Sequence, residues 1–150
     1  MKKFRFSLDT VLDYKQQVLT SLQSEYGAAQ LRVRQQEEVL EQTERAHREL
    51  NEEFTRRRAE GITIKDAVML EGGLRVLERD IDREAKKLLE LQKQAEEKRE
   101  EMVEAKKETS SLEMLRDKKL EQYRKEEAKQ DELFIEEVVA TARAMAALGA

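Results

Sequence analysis

Arg58-Ala59-Glu60-Gly61-Ile62-Thr63-Ile64-Lys65-Asp66 breaks a sequence that otherwise reads as helix. Gly61 can take the left-handed backbone that ends a helix, and Arg56, Arg57 and Arg58 complement the carbonyl end of the helix dipole. Thr63 then offers a hydroxyl cap, with an acid, Asp66, three residues on. Ile64 to Glu71 is expected as a short separate helix, with Gly72-Gly73 softening its junction with the next one. The bend is therefore expected over about 60–73.

Upstream, seven-residue steps from Leu12 give Leu12, Leu19, Tyr26, Val33, Leu40, His47 and Phe54. Steps from Leu8 give Leu8, Lys15, Leu22, Ala29, Gln36, Thr43, Leu50 and Arg57. The two rows alternate by three and four residues, the a and d rows of one heptad stripe. They predict a helix over about 7–59 with Ser7 as its N-cap. Downstream, one row is Leu74, Ile81, Leu88, Ala95, Met102 and Thr109; the other is Leu70, Leu77, Glu84, Leu91, Lys98, Ala105 and Leu112. They predict a helix over about 74–146. Beyond Leu112 the pattern weakens: Arg116 and Lys119 hold the row positions while Leu115 and Leu120 sit one residue off. A local distortion fits this better than a lasting phase shift, and Ser110 with Glu113 gives a minor alternative, a capped kink.

The expected fold is all-α: one elongated coiled-coil unit over 1–150, two long helices in an antiparallel hairpin with a short helix or turn at the bend. One register satisfying both stripes sets Arg57 beside Leu74, Leu50 beside Ile81, Leu19 beside Leu112, Leu8 beside Tyr123, and His47 beside Glu84 as a polar layer. Residues after about Gln130 then have no intrachain partner. This stretch holds Leu133, Phe134, Ile135, Val138, Val139, Met145 and Leu148, and two readings stand: an interaction surface, or self-association and fraying of a terminus.

Composition agrees. Charged residues make up 41% of 150 and aromatics 5%, with no proline, tryptophan or cysteine, as in long helices rather than a globular core. The absence of cysteine excludes disulfides and thiolate metal sites. A net charge of −4 with mixed signs argues against a nucleic-acid surface. Asp9, Asp13 and Lys15 interrupt any signal-peptide apolar run at the start, and no window reaches the length of a membrane span. An interfacial amphipathic start over Lys2, Lys3, Phe4, Arg5 and Phe6 is the lesser alternative to a helix-docking face.

Chemistry finds no foothold. The lone histidine, His47, lies on a core-facing row and reads as a satisfied polar residue rather than a zinc ligand. Glu71-Gly72-Gly73-Leu74 lacks a phosphate-loop pattern, and carboxylates on exposed helix faces lack the cleft that would tune an acid and a base apart. The chain reads as non-enzymatic, with no cofactor, small-molecule substrate or nucleic-acid partner expected.

Phe4-Arg5-Phe6-Ser7-Leu8-Asp9-Thr10-Val11-Leu12-Asp13-Tyr14-Lys15 resembles the start of the flagellar export protein FliJ family. So do Gly61-Ile62 followed by Leu70, Leu74, Leu77-Glu78 and Ile81, and the later Leu112-Glu113-Met114-Leu115-Arg116-Asp117-Lys118-Lys119. The resemblance implies a cytoplasmic component of the bacterial flagellar type III export apparatus, peripheral to the inner membrane, whose fold is an antiparallel coiled coil like the stalk of rotary ATPases. It implies three partners: the export ATPase, the cytoplasmic domain of the export gate, and export chaperones. The family's gate-contacting patch, aligned on Gly61-Ile62, falls on Gly73, Leu77, Asp80 and Glu84, although Leu77 and Glu84 also belong to the core-facing row. The expected ATPase-facing end combines Phe4, Phe6, Leu8, Val11 and Tyr14 with Phe134, Ile135, Val138 and Val139. Of these, Phe4, Phe6, Val11 and Tyr14 lie off the stripe and read as dispensable to the fold.

Overall fold

The computed structural model describes residues 3–149. They form two helices packed against each other, α1 (Asp9–Glu60, 52 residues) and α2 (Ile64–Leu148, 85 residues), with no strand among the described residues. The fold is the expected all-α hairpin. Residues divide into two compact units, one of Thr20–Val103 and one joining the chain up to Leu19 with that from Glu104 onward.

In the Thr20–Val103 unit, Gly61 ends α1 with φ 104°, a conformation that costs an L-residue steric strain. Thr63 restarts the helix: its Oγ1 accepts the Asp66 amide at 3.2 Å and its carbonyl accepts the Ala67 amide at 2.9 Å. The Asp66 carboxylate pairs with Arg57 at 3.4 Å, tying the two helix ends across the turn. The expected separate helix over Ile64–Glu71 and the bend over 60–73 are corrected here. The connection is three residues, and Gly72-Gly73 lie inside a continuous α2. Two interior glycines cost about 1 kcal/mol each relative to alanine, but half-buried Leu70 and buried Leu74 anchor this stretch by packing.

The heptad rows mark what is covered. Leu74, Ala29, Ala95 and Gln36 are buried in this unit, and the other row members between Leu22 and Met102 are half-buried. No described side chain falls below 2% exposure, because each helix is covered mainly along one stripe by its single partner. In the other unit Leu12, Ala105 and Thr109 are buried. The helix runs unbroken through Ser110–Leu120, so the capped kink is not formed. Arg116 and Tyr123 keep their row, while the companion row moves one residue, leaving Lys119 exposed and Leu120 and Glu127 half-covered. The α1 start is also corrected. Leu8 supplies the first helical carbonyl, to the Leu12 amide at 2.8 Å, so the cap position is Leu8 rather than Ser7.

The register differs from the expected one by a heptad. Gly73, not Ile81, lies against Leu50: a Cβ built on Gly73 would stand 3.0 Å from Leu50 Cδ2. Gln36 donates to the Glu84 carbonyl at 3.0 Å and to its carboxylate, taking the place expected for His47. His47 Nε2 instead sits 3.5 Å from Glu78 Oε1 without a hydrogen bond among the described residues. In the other unit, Lys15 meets Glu108 at 2.7 Å and its carbonyl receives Thr109 Oγ1 at 3.4 Å, again seven residues short of the expected row partner Arg116. The cause is the turn. A three-residue connection brings the helices together immediately after Glu60, whereas the expected register needed a bend of two further helical turns.

Candidate interaction surfaces

The unit holding both chain ends is built on the extended residues before α1. Phe6 is 7% exposed, and the Phe4 ring lies 5.5 Å from that of Tyr123, tilted by 52°. Burial, aided by a hydrogen bond with Glu127, raises the Tyr123 hydroxyl above its ordinary value. An open groove between this segment and α2 is lined by Phe4, Phe6, Lys119 and Tyr123 among others. Phe4 and Phe6 are therefore part of the packing, which corrects the expectation that the fold does not need them. Leu8, which began the predicted stripe, is exposed, and the aromatic side chains cover α2 in its place. Val11 and Tyr14 are exposed at a spacing of three on α1, one helix face. Polar bonds flank the seam: Lys15 to Glu108, Gln16 to Glu113 at 3.2 Å, and Arg116 to Asp9 at 3.8 Å. The Glu108 hydrogen bond and charge raise the Lys15 ammonium above its ordinary range.

Further along α2, every residue from 128 to 148 is exposed. Phe134 is 65% exposed, and Leu133, Ile135, Val138, Val139, Met145 and Leu148 are likewise open. An apolar run of this density on a helix with water all round is more than scattered surface hydrophobes. The structure thus leaves seven of the nine ATPase-facing candidates exposed, Tyr14, Phe134 and Ile135 most and Leu8 least. Phe4 is half-buried and Phe6 buried.

In the Thr20–Val103 unit the four gate-facing candidates line the helix pair more than its outside. Gly73 abuts Leu50; Leu77 is half-buried; Asp80 pairs with Arg83 at 3.0 Å; Glu84 receives Gln36. The Gln36 bond holds the Glu84 carboxyl below its ordinary value, against the opposing effect of burial. Sequence reasoning missed the neighbours that are open. Val68, Met69 and Val76 are exposed, as is Gly72, whose missing Cβ would meet nothing within 4 Å. At spacings of one, three and four they share one face of α2. The signal was present in the sequence as apolar residues off both heptad rows.

Among the described residues no group of three His, Asp or Glu side chains is placed to hold a metal, and no helix is long and apolar enough to cross a membrane. Fold and surface together define an all-α helical hairpin whose distinguishing features are exposed apolar faces. The chain belongs to the FliJ family: the family described as Flagellar FliJ protein matches residues 4–146, nearly the whole chain. It is thereby a flagellar, export-related component of a non-catalytic family. No curated protein and no solved structure matches the chain.

Proposed function

We propose that this chain is the stalk-like coupling component of flagellar type III export, linking the export ATPase ring to the cytoplasmic domain of the membrane export gate. It works in the cytoplasm, peripheral to the inner membrane at the flagellar base, and also meets export chaperones. The observation that carries this reading is the exposed apolar face of residues 128–148 on a chain of this family. A helix pair has little enclosed interior; what it offers is differential contact, and a ligand shifts a partner's states only through such differences. Phe134, Ile135, Val138 and Val139, with Val11 and Tyr14, form the ATPase-facing end. Phe4 and Phe6 hold that end together from beneath. Toward the gate, the exposed Val68, Met69 and Val76 supply the contact area, with Gly73, Leu77, Asp80 and Glu84 shaping the helix that presents them.

Capture of the export ATPase by the chain carrying Phe134→Asp and Val138→Asp tests the first end. Loss of capture with helix content unchanged is expected; full capture defeats the assignment. Met69→Asp with Val76→Asp should abolish binding of the gate domain and spare the ATPase. An escort that only carries chaperones would bind them stoichiometrically and leave ATPase assembly and turnover untouched.

A further inference from the structure

The segment ahead of α1 alternates along its length. Lys3 and Arg5 are exposed, Phe4 is half-buried and Phe6 is buried. This is the two-residue period of an extended chain, one face on α2 and the other on water. The groove between the segment and α2 therefore has aromatic walls, where Phe4 meets Tyr123, and exposed cations along it, Lys3, Arg5 and Lys119. We infer that this groove takes an extended, carboxylate-rich segment of another protein, which pairs with residues 3–6 as an added strand.

Three observations select this occupant. The first is charge. Glu126 is the one acid among the residues lining the groove. Among the described residues Lys3, Arg5 and Lys119 have no carboxylate partner, whereas Arg116 pairs with Asp9 and Lys125 with Glu121. Unpaired cations on one groove attract an acidic partner and repel a basic one. The second is the main chain. Among the described residues neither the amide nor the carbonyl of Phe4 or Arg5 makes a hydrogen bond. The backbone bond nearest the start runs from the Asp9 amide to the Phe6 carbonyl at 3.1 Å. An extended segment with unpaired main-chain groups is an edge to which another extended segment can add. The third is the rings. Phe4 packs on Tyr123 and Phe6 is buried, so the outer side of the segment offers Lys3, Arg5 and Ser7. A bilayer surface needs apolar anchors beside its cationic contacts, and here the anchors are spent on α2.

The inference goes beyond the stalk reading: it rests on the groove and not on which partner the exposed tail meets. Docking there closes the segment over Tyr123, so capture of the acidic strand also tightens this end of the helix pair.

Fluorescence anisotropy of a labelled oligoglutamate peptide with the full chain tests this. The peptide should bind, more weakly as salt rises, and an oligolysine peptide of the same length should not. Lys3→Glu with Arg5→Glu should weaken binding about tenfold, the size of two exposed charge contacts reversed. Lys119→Glu alone should weaken it less. Lys65→Glu with Lys93→Glu makes the same change of charge in the Thr20–Val103 unit and should leave binding unchanged. All five side chains are exposed, and equal helix content by circular dichroism checks each variant. Absence of oligoglutamate binding overturns the inference, as does equal loss in the two double variants. Capture by phosphatidylserine vesicles without peptide binding also overturns it, in favour of a lipid surface. Main-chain pairing is read by amide hydrogen exchange: the Phe4 and Arg5 amides should slow in the bound chain, and unchanged exchange there overturns the added strand. The peptide is the only ligand in these readouts, so their failure is distinguishable from failure to capture the export ATPase.

Discussion

Two stretches of α2 carry the same heptad logic and meet different fates. Around Leu74 the stripe faces Leu50 and its neighbours, and Leu74 is 8% exposed. From residue 128 to 148 the covered rows run on through Gln130, Phe134, Glu137, Thr141, Ala144 and Leu148, apolar Val138 and Met145 lie beside them, and every side chain is exposed. The difference lies in whether a second helix arrives, and in the tail the apolar residues also leave the covered rows, where Gln130 and Glu137 stand. Amphipathic periodicity records that a face is made to be covered; it does not record by whom.

The sharpest way to break this comparison is to place one substitution in each stretch. Leu74→Ala should cost about 2 kcal/mol or more, read as a lower denaturation midpoint with unchanged slope. Phe134→Ala should stay within about 0.5 kcal/mol at concentrations where the chain is monomeric. Equal losses would mean that the tail is packed after all.

The turn offers the next contrast. Gly61→Ala forces a Cβ into a φ of 104° and should cost about 1 kcal/mol or more. Gly72→Ala, in open space within a helix, should gain about 1 kcal/mol. At Gly73 the same gain is offset by the 3.0 Å approach to Leu50 Cδ2, so Gly73→Ala should fall below Gly72→Ala. Thermal unfolding of the three variants orders them.

The smallest effect concerns pH. The Glu84 carboxyl is held below its ordinary 4.5, chiefly by Gln36. A depressed folded value means stability that is present above 4.5 and fades as pH falls through the lowered value. Lys98, raised above 10.5 by Glu25 and Glu101, contributes below that pH and loses its share as pH rises through the raised value. Gln36→Met should therefore flatten the acid limb of the stability curve and leave the alkaline limb in place. Retention of the full acid limb would show that the Gln36–Glu84 layer does not titrate with folding.

Much of the candidate surface was legible before any coordinates. Val11, Tyr14 and the run from Leu133 to Leu148 stand out because they are apolar and lie off the paired stripe or beyond it. Phe4 and Phe6 misled because residues preceding a helix have no periodic phase, so their burial depends on where the extended chain folds back. Val68, Met69 and Val76 do not stand out in the sequence, because the glycines beside them read as a bend.

The sequence by itself determined the two helices, the break at Gly61, the Thr63 cap and which rows face inward, because helix period, glycine freedom and hydroxyl capping are local properties. The tertiary structure decided the register, the continuity of α2 through Gly72-Gly73, the burial of Phe6 and the choice of Leu120 over Lys119. Heptad rows repeat every seven residues, so a slide of one heptad still pairs row with row. The three-residue turn at 61–63 selects among these registers, and with it which apolar residues find a partner within the chain.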